Sequence, residues 1–167
     1  VTYIAWDKVL EQRVAIKEYL PSEFSTRAPG VSQVTVYDGD KGEQYAAGMD
    51  KFVDEARRLA KFTDCPGIVK VYDCFKENQT AYIAMEYLEG VTLSQYIKDK
   101  GTIPPEDAVM MLLPVIDSLD KVNKAGIIHR DIAPDNIMVT KDGDVKLIDF
   151  GAARYATTIH SRSLTVI

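Results

Sequence analysis

Apolar and β-branched positions alternate near the start of the chain: Tyr3 and Ala5, then Val14 and Ile16, stand on either side of the polar run 7–13. Alternation at period two places one face of each segment on a core. The pattern predicts a hairpin whose second strand ends in Val14-Ala15-Ile16-Lys17, with Lys17 projecting from it. Residues 21–48 are rich in Ser, Thr, Gly, Asp and Pro, and only 31–37 alternate, so a loop or small accessory hairpin is expected there. From about Met49 the period changes. Phe52, Val53, Ala56, Leu59, Ala60 and Phe62 recur at steps of three and four, which predicts an amphipathic helix that carries Glu55. Cys65-Pro66-Gly67 stops it, and residues 68–72 and 81–86 read as two strands around a turn at 76–80.

Beyond Leu88-Glu89-Gly90 the pattern is mostly helical. Thr92 is placed to cap a short helix ending near Gly101, and Pro104-Pro105 opens a longer one running to about Lys124. Two short strands, 137–140 and 145–148, follow around the turn 141–144. The fold class expected is α+β: an antiparallel sheet with one helix over 1–88, then a helix-rich part over 89–167.

Composition narrows the function classes. The chain has 167 residues, 46% hydrophobic, which suits one ordinary domain and excludes a disordered one. Acids outnumber bases by 25 to 20, so no nucleic-acid or acidic-membrane partner is expected. Two cysteines, Cys65 and Cys74, are too few for a disulfide framework and lack metal-ligand companions, which suits a reduced cytoplasmic protein. No apolar run approaches the roughly 20 residues of a membrane span. The sequence opens at Val1 and stops in Ser163-Leu164-Thr165-Val166-Ile167, which reads as cut at both ends; anchors or further domains are expected outside it.

The chemistry is concentrated in His129-Arg130-Asp131-Ile132-Ala133-Pro134-Asp135-Asn136 and Asp149-Phe150-Gly151. A tight loop and hairpin can bring Asp131, Asn136 and Asp149 to one point, and three oxygen-bearing side chains suit Mg²⁺ or Mn²⁺ better than zinc. Phosphoryl transfer needs little more than alignment and cations matched to developing negative charge.

These two signatures resemble the catalytic loop and metal-binding motif of eukaryotic-like (Hanks-type) serine/threonine protein kinases, in their bacterial wording. The resemblance implies a bilobal kinase fold, with the N-lobe at 1–88 and the start of the C-lobe at 89–167. It implies ATP and Mg²⁺ (or Mn²⁺) as cofactors and Ser/Thr hydroxyls of a protein as substrate. By the same resemblance Asp131 accepts the substrate proton, and Asn136 and Asp149 hold the metal. Lys17 contacts the α- and β-phosphates and Glu55 pairs with it. Met85, Glu86 and Leu88 form the hinge around adenine, and Ala15 and Met138 sandwich the ring. Phe150, His129, Leu59 and Val71 form a packed column between lobes. Arg130 pairs with a phosphorylated activation loop whose candidate acceptors are Thr157, Thr158, Ser161, Ser163 and Thr165.

Several departures qualify the resemblance. Lys17 and Glu55 are farther apart than in the family, which implies an insertion at about 21–48. Ala133 and Asp135 stand where kinases carry a lysine or arginine for the γ-phosphate, and losing such a contact costs on the order of a hundredfold in rate. A nucleotide-binding pseudokinase scaffold is therefore the first alternative, and a small-molecule phosphotransferase of kinase-like fold the second. The Gly-rich loop would lie before Val1 and the substrate-binding helices after Ile167, so the segment is expected to be inactive alone.

Overall fold

The computed structural model of the chain describes residues 1–151 and 153–155. Strands β1 (Thr2–Asp7) and β2 (Gln12–Glu18) form the expected hairpin, with Ala15 opposite Ile4 and Lys17 opposite Thr2. Two two-residue strands follow, β3 (Ser25–Thr26) and β4 (Thr35–Val36), and then the helix α1 (Asp40–Leu59), which ends in a 3₁₀ turn over Ala60–Phe62. Next come β5 (Val71–Glu77) and β6 (Thr80–Glu86). The sheet runs β1-β2-β6-β5, antiparallel throughout, and places Ala15 beside Met85 and Lys17 beside Ile83.

Two expectations need correction here. The helix begins at Asp40, not near Met49. Its first turns are polar and contain Gly42 and Gly48, so local pattern disguises them as loop. Tertiary contact supplies what propensity lacks: Tyr45 is buried, its hydroxyl donates to the Gln79 carbonyl at 2.9 Å, and its ring meets Tyr19 at 5.0 Å. Asp40 and Glu43 in the first turn also complement the helix dipole. The segment 21–39 holds the small accessory hairpin, one of the two alternatives expected there, with β3 pairing antiparallel with β4, and it is docked by its side chains. Val34 is fully buried, its N–H donates to the Asn78 carbonyl, and Arg27 forms a forked ion pair with buried Glu18, which also accepts the Tyr3 hydroxyl.

The second correction concerns 68–72. Strand β5 starts only at Val71, and the turn is the pair Asn78-Gln79, both at positive φ, as a two-residue hairpin requires. Ile68 and Val69 instead leave the sheet and pair with the strand at 145–147: Val69 N–H donates to Leu147 O and Leu147 N–H to Gly67 O, both at 2.9 Å. Those two residues couple the halves of the chain.

The second half opens on β7 (Gly90–Thr92), then α2 (Leu93–Lys100), α3 (Pro105–Lys124) and β8 (Ile127–Ile128). It continues through a 3₁₀ turn (Pro134–Asn136), β9 (Ile137–Thr140), β10 (Val145–Leu147) and β11 (Arg154–Tyr155). Thr92 caps α2 as expected, its hydroxyl accepting the Gln95 N–H. Strand β7 joins β9 and β10 in a small sheet, and β8 pairs with β11. Both additions escape sequence reading because two- and three-residue strands have no period to detect. Gly67 lies against α3, where an added Cβ would stand 2.1 Å from the Pro114 carbonyl oxygen; Ser118 bridges the contact, accepting from Gly67 N–H and donating to Pro114 O. One apolar cluster runs from Phe52, Ala56 and Leu59 of α1 through Ile83 to Val122, Leu147 and Phe150, so the sheet, α1 and α3 share a core.

Candidate active site

Lys17 reaches across from β2 to α1. Its ammonium donates to Glu55 Oε1 at 2.8 Å and stands 3.4 Å from Asp149 Oδ1. Glu55 is 6% exposed at its side chain, Lys17 25% and Asp149 40%, so the cation links a buried carboxylate to one that opens on solvent. Burial alone would lower the lysine pKa, but Glu55 and then Asp149 outweigh it and the net shift is upward. Burial first, and then the Asp149 carboxylate, raise the Glu55 pKa against the opposing pull of Lys17, and the net shift is upward. For Asp149 burial is outweighed by Lys17 and by the Gly151 N–H, which donates to Oδ1 at 2.8 Å, and the pKa falls. The site therefore keeps a protonated lysine beside an ionised Asp149 at neutral pH.

The segment 129–136 is held by its histidine. His129 is buried, with its ring edge-on to Phe150 at 4.6 Å, and Phe150 is fully buried against Phe62 as well. Leu59 and Val71 pack into the same cluster. Nδ1 of His129 accepts the Asp131 N–H at 3.3 Å, so Nε2 carries the proton and donates to Asp149 O at 2.6 Å. One imidazole thus fixes the loop of Asp131 to the loop of Asp149. Between them Arg130 takes a left-handed backbone, φ 72°, which turns the chain so that Asp131 faces Asn136. The Asn136 amide donates to Asp131 Oδ2 at 2.9 Å and to its carbonyl at 3.1 Å. Asn136 is in turn joined to the Asp149 loop, its carbonyl accepting the Ile148 N–H.

Burial holds the His129 pKa below the ordinary histidine value, against the opposing pull of Asp149 and Asp131. The unfolded chain takes up that proton near pH 6.5 and the folded one only at lower pH. The stability this neutral imidazole confers is therefore present above about pH 6.5 and lost as pH falls toward the folded value. Denaturant midpoints measured between pH 7.5 and pH 5.5 should decline, and His129→Gln should flatten that decline.

A cavity of about 280 Å³ opens beside this cluster. Ala15, Lys17, Met85, Glu86, Leu88, Met138 and Asp149 all line it, so the structure brings every expected nucleotide contact to one wall or another of a single space. Glu55 and Asn136 do not line it but bond to residues that do, Lys17 and Ile148, and Asp131 is joined to it only through Asn136. Sequence reading missed Ile148, Tyr87 and the β1 residues Thr2, Tyr3 and Ile4, which complete the lining. Ile148 could have been found as the neighbour of Asp149; the β1 residues carry no signal of their own. It also missed the role of the Glu86 side chain, which accepts the Lys70 N–H and receives the Lys146 ammonium on both oxygens at 2.7 Å. The Glu86 N–H is occupied too, donating to Lys70 O.

The Asn136 amide oxygen and the Asp149 carboxylate are hard donors of the kind that Mg²⁺ takes. Among the described residues no group of three or more His, Cys, Asp or Glu side chains could hold a metal ion. Such a sparse set suits Mg²⁺, which keeps waters and binds through one or two carboxylates plus substrate phosphates. The candidate acceptors Thr157, Thr158, Ser161, Ser163 and Thr165 lie outside the described residues. No helix among the described residues is long and apolar enough to cross a membrane.

Comparison with known proteins agrees in sequence and in shape. The protein kinase domain family matches residues 33–166. The serine/threonine-protein kinase PknL of Mycobacterium tuberculosis is 38% identical over 131 residues, covering 78% of this chain and 31% of the relative. PrkC of Bacillus subtilis, also a serine/threonine-protein kinase, is 31% identical over 163 residues, covering 98% of this chain and 22% of the relative. A solved structure described as the apo form of PpkA-294 superposes with a TM-score of 0.82 at 32% identity, over 90% of this chain and 53% of that one. The chain thus spans a third or less of those two curated relatives, and by the extent of the family match and the kinase-like fold it belongs to the protein kinase family, alongside serine/threonine kinases of bacterial type.

Proposed function

We propose that the chain forms the nucleotide-binding and catalytic part of a cytoplasmic, ATP-dependent protein kinase that phosphorylates Ser/Thr hydroxyls. The observation that carries this reading is the Lys17 ammonium, held between Glu55 and Asp149 at the wall of a cavity whose other lining residues suit a purine. Adenine lies between Ala15 and Met138, with Met85 behind it and backbone groups of Glu86 and Leu88 along its edge. Residues 86–88 are then the hinge between an N-lobe at 1–88 and the part of the C-lobe at 89–167. Lys17 binds the α- and β-phosphates, and Glu55 holds the ammonium in place.

Asp149 and Asn136 hold Mg²⁺ or Mn²⁺. With its nitrogen committed to Asp131, the oxygen of the Asn136 amide is the atom left to face the cation. The bound ion neutralises charge that develops on the transferred phosphate. Asp131 takes the proton of the substrate hydroxyl as that oxygen forms its bond to the γ-phosphorus; the bond to the β-phosphate oxygen breaks and ADP leaves.

Ala133 favours a second reading, a nucleotide-binding scaffold without transfer, because the loop 131–136 lacks the cation that would steady the γ-phosphate. Labelled γ-phosphoryl transfer from ATP to a protein substrate by the full-length protein separates the two. We expect label on Ser or Thr that depends on Mg²⁺ and stops on chelation. Nucleotide binding without label on any substrate, the protein itself included, would establish the scaffold.

A further inference from the structure

Gly48 sits in the middle of α1 with ordinary helical φ, so its backbone conformation does not call for glycine. Its surroundings do. A Cβ there would stand 2.0 Å from the Tyr19 hydroxyl oxygen and 3.0 Å from Cζ. The tyrosine ring approaches the helix backbone through the space that a side chain would fill. Ring contacts hold it on either side, with Tyr45 at 5.0 Å and Phe52 at 5.7 Å between centroids. Its backbone is pinned as well: Tyr19 N–H donates to Ala81 O at 3.0 Å, and its carbonyl accepts the Thr80 hydroxyl.

Tyr19 lies two residues after Lys17, just past the end of β2. On α1, Gly48, Phe52 and Glu55 follow one another at i, i+4 and i+7, along one face of the helix. That face meets Tyr19 at Gly48 and Phe52 and meets Lys17 at Glu55, where the ammonium also stands 5.9 Å from the Phe52 ring. Two contacts therefore join the same stretch of β2 to the same face of α1, two turns apart. Moving the helix along or away from the sheet strains both together.

We propose that Tyr19 is a positioning residue for the Lys17–Glu55 pair, its ring seated in a notch that Gly48 leaves in α1 and so setting the height and register of that helix. The proposal rests on the kinase reading only for its activity readout. Helix propensity alone favours alanine over glycine at position 48, so propensity and the notch predict opposite results for the same substitution.

The experiment is a double-mutant cycle in the full-length protein: Gly48→Ala, Tyr19→Phe and the pair together. Gly48→Ala is expected to lower kcat/KM for ATP about tenfold, mainly through kcat, as misplacement of a catalytic group does. Tyr19→Phe keeps the ring and stays close to the parent. The double variant removes the clashing hydroxyl and returns to within about threefold of the parent, a coupling that independent sites do not show. Hydrogen exchange over residues 48–59, read on the same proteins without turnover, should rise in Gly48→Ala and recover in the double variant. Parent-like or better activity and exchange in Gly48→Ala overturns the proposal, as does a double variant no better than Gly48→Ala. If the parent transfers no phosphate, the kinase reading fails, and the exchange measurements alone decide whether the notch positions the helix.

Discussion

Asp131→Ala should lower phosphotransfer by the full-length protein about 10²- to 10⁴-fold, the range that removal of a positioned general base commonly costs. Its stability should scarcely change. Asp131 is exposed, and the one hydrogen bond it loses comes from Asn136, an amide that water can satisfy and that keeps its bond to the residue 131 carbonyl. The combination is diagnostic because few damaging substitutions leave the unfolding midpoint in place. Nucleotide affinity should also hold, since Asp131 does not line the cavity. Steady-state transfer, ATP affinity and thermal unfolding on the same preparation check all three; activity that survives the substitution removes Asp131 from the role of base.

Lys17→Met should do the reverse and damage stability and activity together. The variant leaves Glu55 buried beside the carboxylate of Asp149 with no cation between them. Breaking a buried pair by deleting one partner costs about 3–5 kcal/mol, and the quarter exposure of Lys17 argues for the low end of that range. Transfer should fall on the order of a hundredfold or more, since a cation placed on the nucleotide phosphates is lost. Adding Glu55→Gln should return part of the lost stability, because a neutral amide can stay buried where an uncompensated carboxylate cannot, yet it should return no activity. Denaturant unfolding and transfer assays on the single and double variants test this. Recovery of activity in the double variant would mean that Lys17 serves only to neutralise Glu55.

Legibility differed by scale. Lys17 and Glu55 could be paired in sequence only through the resemblance, since nothing local to either residue distinguishes a buried ion pair from two solvated charges. The meeting of Asp131 with Asn136 was readable because a tight loop leaves few alternatives for side chains five apart, whereas the roles of both, and of Asp149, rest on the resemblance. Helix α1 from Met49 onward was readable by period, whereas its first nine residues were not: two glycines and a polar surface look like loop until Tyr45 finds Tyr19 and the 78–79 turn. Residues 68–69 read as strand by composition, correctly as buried β-branched residues, but their partner is β10 and not β6. Pattern reports that a residue is buried; it does not report against what.

By itself, then, the sequence determined the α+β class, the hairpin that carries Lys17, the later part of α1, the helices α2 and α3 and the close approach of Asp131 to Asn136, because period, caps and tight turns act over a few residues. Only the tertiary structure decided that residues 21–48 dock onto the sheet through Arg27, Val34 and Tyr45, that the Glu86 side chain is held by Lys146, and that His129 joins the loop of Asp131 to that of Asp149. Those contacts link residues far apart in the chain. Their partners are chosen by packing and by the need to satisfy buried polar groups, and neither is written in local pattern.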